Sequence, residues 1–409
     1  MTSNADVIII GGGAAGFFTA INIAENDPKL KVILLERGTN VLTKVKVSGG
    51  GRCNVTHAEF IPKELTQNYP RGEKELLGPF HTFMTGDTIE WFEKRGVPLK
   101  IEEDGRMFPE SNTSQTIIDC FIKETEKLGV AVLKNYSVKE IRKENEAWQV
   151  STEKGNFTSD KLVMATGSST KVWDLLKKLG HTIIPPVPSL FTFNIKDDRI
   201  KDLPGIATPA SIKVISKNNK SKLESEGPLL ITHRGLSGPA ILKLSAWGAK
   251  ELNGVNYQFK IKVNWLLDVT PEEASESLKK IRDENKKQSL NTYAQLGLPK
   301  RLWQSLVFTS GISATQKWAE TTNKQLQELA NQLTQSIFKV DGKSTFKEEF
   351  VTAGGVDLKE VNFKRYESRL HKNLYFAGEV LNIDAITGGF NFQNAWTGGY
   401  IVAKSISEN

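Results

Sequence analysis

Asp6-Val7-Ile8-Ile9-Ile10 runs directly into Gly11-Gly12-Gly13-Ala14-Ala15-Gly16, and Val32-Ile33-Leu34-Leu35-Glu36 follows one helix length later. The two apolar runs read as buried strands, and Ala14 to Glu25 between them as a helix. Strand, glycine turn, helix, strand and acid form the context in which G-x-G-x-x-G binds a dinucleotide. Gly11 permits the tight turn, Gly13 lets a pyrophosphate approach the backbone, and Gly16 lets the helix pack closely on the strand. The helix start offers unpaired N–H groups and a positive dipole end to the phosphates. Glu36, about 20 residues past the last glycine, is placed to accept hydrogen bonds from a ribose diol. An ordinary βαβ turn is the competing reading, but three consecutive glycines are poor helix sequence unless a ligand needs them.

Outward from this unit, Lys44 to Asn54 is a loop dense in glycine and basic residues, and residues 60–128 read as mainly helical, with Gln115–Leu128 amphipathic. Val130–Leu133 reads as the third parallel strand. Ser137–Arg142, Trp148–Thr152 and Asn156–Ser159 form a small antiparallel meander, and Lys161–Gly167 is a further buried strand ending in a turn. Three prolines within Pro185-Pro186-Val187-Pro188 mark a boundary. Residues 189–270 are β-rich, the chain from Pro271 to about Phe338 is helical, and Leu374–Glu379 returns to buried strand before a closing helix, Asn391–Ser407. The expected domains are 1–188 with 345–409, a barrel-like insert at 189–270, and a helical insert at 271–344.

A chain of 409 residues, 39% hydrophobic and 25% charged, lies in the soluble globular range and has room for two or three domains. The net charge of +7 is spread among alternating acids and reads as a solvated surface or an attraction for anionic ligands. No motif argues for nucleic acid. Cys53 and Cys120 form no C-x-x-C, so neither a redox dithiol nor a zinc site is indicated. His57, His81, His181 and His371 lack metal-ligand spacing. The apolar stretch Val7–Ile21 is broken by glycines and preceded by no cation, which predicts a cytoplasmic protein with no membrane partner.

Ala165-Thr166-Gly167 after a meander and a late Phe376-Ala377-Gly378-Glu379 complete three landmarks. With the glycine fingerprint they resemble the glutathione reductase type of FAD domain. Four further blocks narrow the match: Ser48–Thr56, Thr232–Pro239, Thr352-Ala353-Gly354-Gly355-Val356, and Gly378 to Asn391. Together these resemble the BaiN-like family of NAD(P)/FAD-dependent oxidoreductases over essentially the whole chain. The fold implied is α/β: a Rossmann-like FAD-binding domain interrupted by an inserted β-barrel and a helical domain. The cofactor contacts implied are Gly11, Gly13, Ala14, Ala15 and Gly16 at the phosphates, and Glu36 and Arg37 at the ribose. Gly50, Gly51, Arg52 and Asn54 follow in the second glycine block, then Val138 and Ala165-Thr166-Gly167. The late set is Gly378, Glu379, Asp384, Gly388, Gly389, Phe390 and Asn391. Glu379 stands where aspartate is usual, Asn382-Ile383-Asp384-Ala385 departs from an acid- and glycine-rich form, and Phe390 replaces a common tyrosine.

Arg52, inside its glycine block, can pair with a phosphate or with negative charge developing on a flavin. The helix start at Gly388-Gly389-Phe390-Asn391 would favour negative charge on the ring by its dipole and free N–H groups. His233 is either a proton donor or substrate clamp facing the flavin, or a structural histidine. Cys53 is either a thiol above the flavin or a small packing residue. The expected function is hydride transfer through flavin N5. The resemblance implies a reductase of an unsaturated, carbonyl-conjugated small molecule. With a single complete glycine fingerprint, NAD(P)H is expected to dock transiently as donor. A tRNA-modifying flavoprotein and an FAD-binding sensor without turnover are the alternatives.

Overall fold

The computed structural model describes residues 2–215, 222–345 and 351–408. These fall into two compact units, Met1–Val187 with Lys347–Asn409, and Pro188–Phe346.

The first unit is built on a nine-stranded sheet with Thr2–Ile10 at its centre. Val32–Glu36 lies parallel on one side, with Ile8 opposite Ile33, and Ala131–Lys134 lies parallel beyond it. Gly155–Met164 lies parallel on the other side, with Ile8 opposite Leu162, and Leu374–Phe376 follows it. Val7, Ile8 and Ile9 have no exposed surface, as expected of a strand covered on both faces. The Ala14–Asn26 helix packs against the closing helix, Phe390–Ser407, with the Phe18 and Trp396 rings 5.2 Å apart. The two ends of the chain therefore share one core.

Several expected elements merge or change type. The third meander segment and the following buried strand are one strand, Gly155–Met164. Nothing between Ser159 and Lys161 breaks it, so it pairs antiparallel with Ala147–Thr152 on one edge and parallel with Thr2–Ile10 on the other. The expected loop at Lys44–Asn54 begins as a helix, Thr43–Gly51, because Val45 can bury. Gly49, Gly50 and Gly51 then turn with φ of 57°, 68° and 85°. The proline run is an edge strand, Ile183–Pro188, paired with Thr352–Val356.

In the second unit the seven-stranded sheet begins at Ser336–Asp341 and ends at Lys343–Ser344. Those two segments are separated in sequence by Gly342, and among the described residues the hydrogen-bonded order is an open path rather than a closed barrel. Residues 189–270 and 271–344 do not separate into two domains. The final strands follow the helices and complete the sheet, and Trp265, Trp303, Leu329 and Phe338 belong to one hydrophobic cluster.

Candidate active site

The glycine fingerprint has the geometry its sequence implies. Gly11 adopts φ 116°, and a β-carbon there would overlap the Ala165 carbonyl. A β-carbon on Gly16 would overlap the Gly11 carbonyl, while Gly13 faces open space. Gly13 caps the Ala14–Asn26 helix, whose first turn holds no acid and no side-chain cap. Its leading N–H groups, including those of Ala14 and Ala15, therefore lack intrahelical acceptors and face where a phosphate is stabilised.

Glu36 is fixed at the end of its strand. Its Oε2 accepts from the Gly12 N–H at 2.8 Å and its Oε1 from the Gly38 N–H at 2.6 Å. Each oxygen keeps a further lone pair for a hydroxyl donor. The Tyr136 N–H donates to the Glu36 carbonyl at 2.8 Å, which brings the start of the Val138–Glu144 strand beside the acid. Arg37 points into solvent.

Ala165-Thr166-Gly167 and Gly378-Glu379 meet at the same helix start. The Ala165 N–H donates to the Ile10 carbonyl at 2.9 Å, and Gly167 turns with φ 59°. A β-carbon on Gly378 would stand 3.1 Å from that of Ala15. The Glu379 carboxylate is ion-paired with Lys44 at 2.6 Å. Lys44 opens the second glycine block and was not singled out in sequence; its one signal was its place in a block rich in cations.

A second cluster forms around the start of the Phe390–Ser407 helix. Gly388 and Gly389 take φ of 133° and 96°. A β-carbon on Gly389 would come within 2.5 Å of the Thr56 carbonyl and 2.9 Å of Asn54 Oδ1. His57 stacks on Phe390 at 4.5 Å and donates from Nδ1 to the Gly388 carbonyl at 3.0 Å. The Tyr69 hydroxyl donates to the Phe390 carbonyl at 2.6 Å. Asn391 grips the preceding loop, accepting from the Ala385 N–H at 3.0 Å and donating to its carbonyl at 3.2 Å. Like the first, this helix starts with no acid in its first turn and no side-chain cap. Sequence reading treated His57 as isolated, since its partners lie over 300 positions away.

Asp384 is completely buried and grips the Arg71 guanidinium with both carboxylate oxygens. Its oxygens hold the loop through a protein cation, a partner the sequence did not suggest. Gly50 and Gly51 face open space. Arg52 leaves the glycine turn toward Glu102, at 2.5 Å, and lies over the Phe108 ring at 3.9 Å. Cys53 is fully buried, and burial pushes its thiol up to about 12 despite a Ser48 hydrogen bond, which fits the packing reading. His233 is exposed on the two-residue turn between Glu224–Thr232 and Gly235–Ser237, in the second unit.

An FAD molecule fits the residues of the first unit. Gly13, Gly50 and Gly51 leave open space, and two helix starts lack side-chain caps. Thr166 Oγ1, Asn54 Oδ1, Thr352 Oγ1 and Asn382 Oδ1 are buried with no hydrogen-bond partner in the protein, the state expected of groups that serve a ligand. No group of three or more histidine, cysteine, aspartate or glutamate side chains able to hold a metal occurs among the described residues. No helix among them is long and apolar enough to cross a membrane.

Comparison with known proteins agrees. The model of the HI0933-like protein Rossmann domain matches residues 5–405. The ribosomal RNA dihydrouridine synthase of Haemophilus influenzae is 29% identical, with 100% of each chain covered. The 3-dehydro-bile acid delta(4,6)-reductase of Clostridium scindens is 26% identical over 98% of each. The 3-ketosteroid-delta4-(5alpha)-dehydrogenase of Rhodococcus jostii RHA1 shares the fold, with a TM-score of 0.53 at 12% identity, covering 100% of this chain and 97% of that one. The chain belongs to the HI0933-like Rossmann-domain family and is an FAD-dependent oxidoreductase.

Proposed function

We propose that this enzyme reduces a carbon–carbon double bond conjugated to a carbonyl, that the acceptor is a uracil ring in RNA, and that NAD(P)H is the hydride source. Bound FAD supplies the hydride carrier. The observation that carries the reading is the pair of uncapped, acid-free helix starts gathered in one unit, at Ala14 and Phe390. One is suited to the cofactor's phosphates and the other to negative charge on its ring. His57 orients the second through Gly388, and the Lys44–Glu379 pair lies beside the first.

The substrate class follows from chemistry shared by the two named relatives. Making dihydrouridine adds two hydrogens across the uracil C5=C6 bond, which is conjugated to the C4 carbonyl. A 3-dehydro delta(4,6) steroid is a dienone of the same electronic kind. Each accepts hydride at a carbon made electrophilic by the carbonyl, and a proton at its neighbour. The excess of 54 Lys and Arg over 47 Asp and Glu favours the polyanionic substrate. The C. scindens relative supports a small enone as the second reading. His233 is our candidate proton donor or substrate clamp, and Arg52 our candidate anion contact.

The test is anaerobic reduction by NADH or NADPH, followed by mixing with protein-free ribosomal RNA or with a steroid dienone. Flavin reoxidation by the RNA, with dihydrouridine found by mass spectrometry, is the expected result. Reoxidation by the dienone alone selects the second reading, and reoxidation by neither removes the class.

A further inference from the structure

The exposed face of the second unit's sheet concentrates lysines. Along Ser336–Asp341, Gln258–Asn264 and Ala207–Ile215 the side chains alternate between buried and solvent-facing. On the solvent side Lys260 stands directly opposite Lys339, and Lys262 directly opposite Lys213. Exposed Ile215 lies across from Lys260, and exposed Ile337 across from Lys262. Like charges facing each other across a ladder cost stability, and little nearby offsets them. Lys213 reaches Glu224 at 3.5 Å, while Lys260, Lys262 and Lys339 form no ion pair among the described residues. Asp341 and Glu226 lie one row away, at the margins of the group. Same-face neighbours in such a sheet are about 7 Å apart along a strand and about 5 Å across. Four ammonium groups at that spacing can meet several phosphates of one backbone together.

We propose that Lys213, Lys260, Lys262 and Lys339 form a docking surface for the phosphate backbone of the RNA substrate. This rests on the RNA reading above. Backbone contacts of this kind hold an RNA without reading its sequence, so the face supplies affinity and leaves selection of the base to the flavin site. The two flanking isoleucines add apolar contact for ribose or base faces.

The test replaces all four lysines (K213Q, K260Q, K262Q, K339Q) in the full-length FAD-loaded enzyme. A control carries K139Q, K154Q, K177Q and K178Q, four lysines of the other unit. Affinity for in vitro transcribed ribosomal RNA is measured across a salt series. The expected result is a log–log salt slope about 3 smaller for the sheet variant, and at least tenfold weaker binding at low salt. Flavin spectrum and anaerobic reduction by the nicotinamide donor stay at wild-type values, the melting temperature holds or rises as the facing charges are removed, and the control keeps its slope. An unchanged slope in a folded sheet variant overturns the proposal. So does loss of binding to anionic phospholipid vesicles with RNA binding intact. Failure of the wild-type enzyme to bind RNA at any salt sinks the RNA reading itself.

Discussion

At the scale of single residues, four positions separate a role in the fold from a role toward the cofactor. Gly16 packs against the Gly11 carbonyl, whereas Gly13 faces open space at φ −97°, a value any residue adopts. G16V is expected to lower the melting temperature of the FAD-free protein steeply. G13V should leave that melting nearly unchanged and abolish the rise produced by added FAD. Lys44 is half exposed, so its pair with Glu379 adds little to stability. We place the cofactor's phosphates at the neighbouring helix start, so K44A is expected to weaken FAD binding several-fold, with K44R restoring most of it. Fluorescence quenching titrations read both. Asp384 is the opposite case. D384A removes the buried carboxylate of the pair, and a urea titration should show a loss of about 3 kcal/mol.

At the scale of elements, the parts with strict local rules were legible in the sequence. A glycine run after Val7-Ile8-Ile9-Ile10 needs no tertiary information to be placed. The same holds for the Phe390–Ser407 helix, which begins one residue before its sequence estimate. What the sequence withheld depends on distant partners. Arg71 meets Asp384, His57 meets Gly388, and Arg52 turns to Glu102, each through contacts no local pattern encodes. A further such joint ties a helix end to the 3-10 helix Leu358–Glu360 and the short strand Glu367–Ser368. His181 donates from Nδ1 to Glu360 at 2.9 Å, and the Ser368 hydroxyl donates to His181 Nε2 at 3.1 Å. Burial lowers the His181 pKa below its ordinary 6.5, outweighing Glu360. Burial works against the Glu360 carboxylate, but hydrogen bonds from Thr182 and His181 hold its pKa below the ordinary value. In both cases the unfolded chain binds the proton more readily. Stability is therefore fully present above the unfolded value and declines as pH falls through it. Urea midpoints should drop as pH is lowered from about 6.5, first through His181 and then through Glu360. H181Q should flatten the first part of that decline.

At the scale of the whole molecule, the cofactor cradle we propose lies in one compact unit and the lysine-faced sheet in the other. Each unit has its own hydrophobic cluster. FAD is therefore expected to stabilise one unfolding transition and spare the other. At a hundredfold excess over the dissociation constant the gain is about 2.7 kcal/mol, readable as a shift of only the transition that releases flavin fluorescence. A single transition that moves as a whole would show that the two units unfold together.

The packing of Ala14–Asn26 against Phe390–Ser407 also sets an order of events during synthesis. Ribosomes add about 5–20 residues per second, so the stretch from Pro188 to the start of the Phe390–Ser407 helix takes roughly ten to forty seconds to make. Through that interval the amino-terminal strands emerge without the helix that seals them, leaving apolar surface within reach of chaperones. Flavin capture is expected to wait until that helix clears the exit tunnel, so cells starved of riboflavin would accumulate polypeptide whose two segments have met but whose cradle is unfilled.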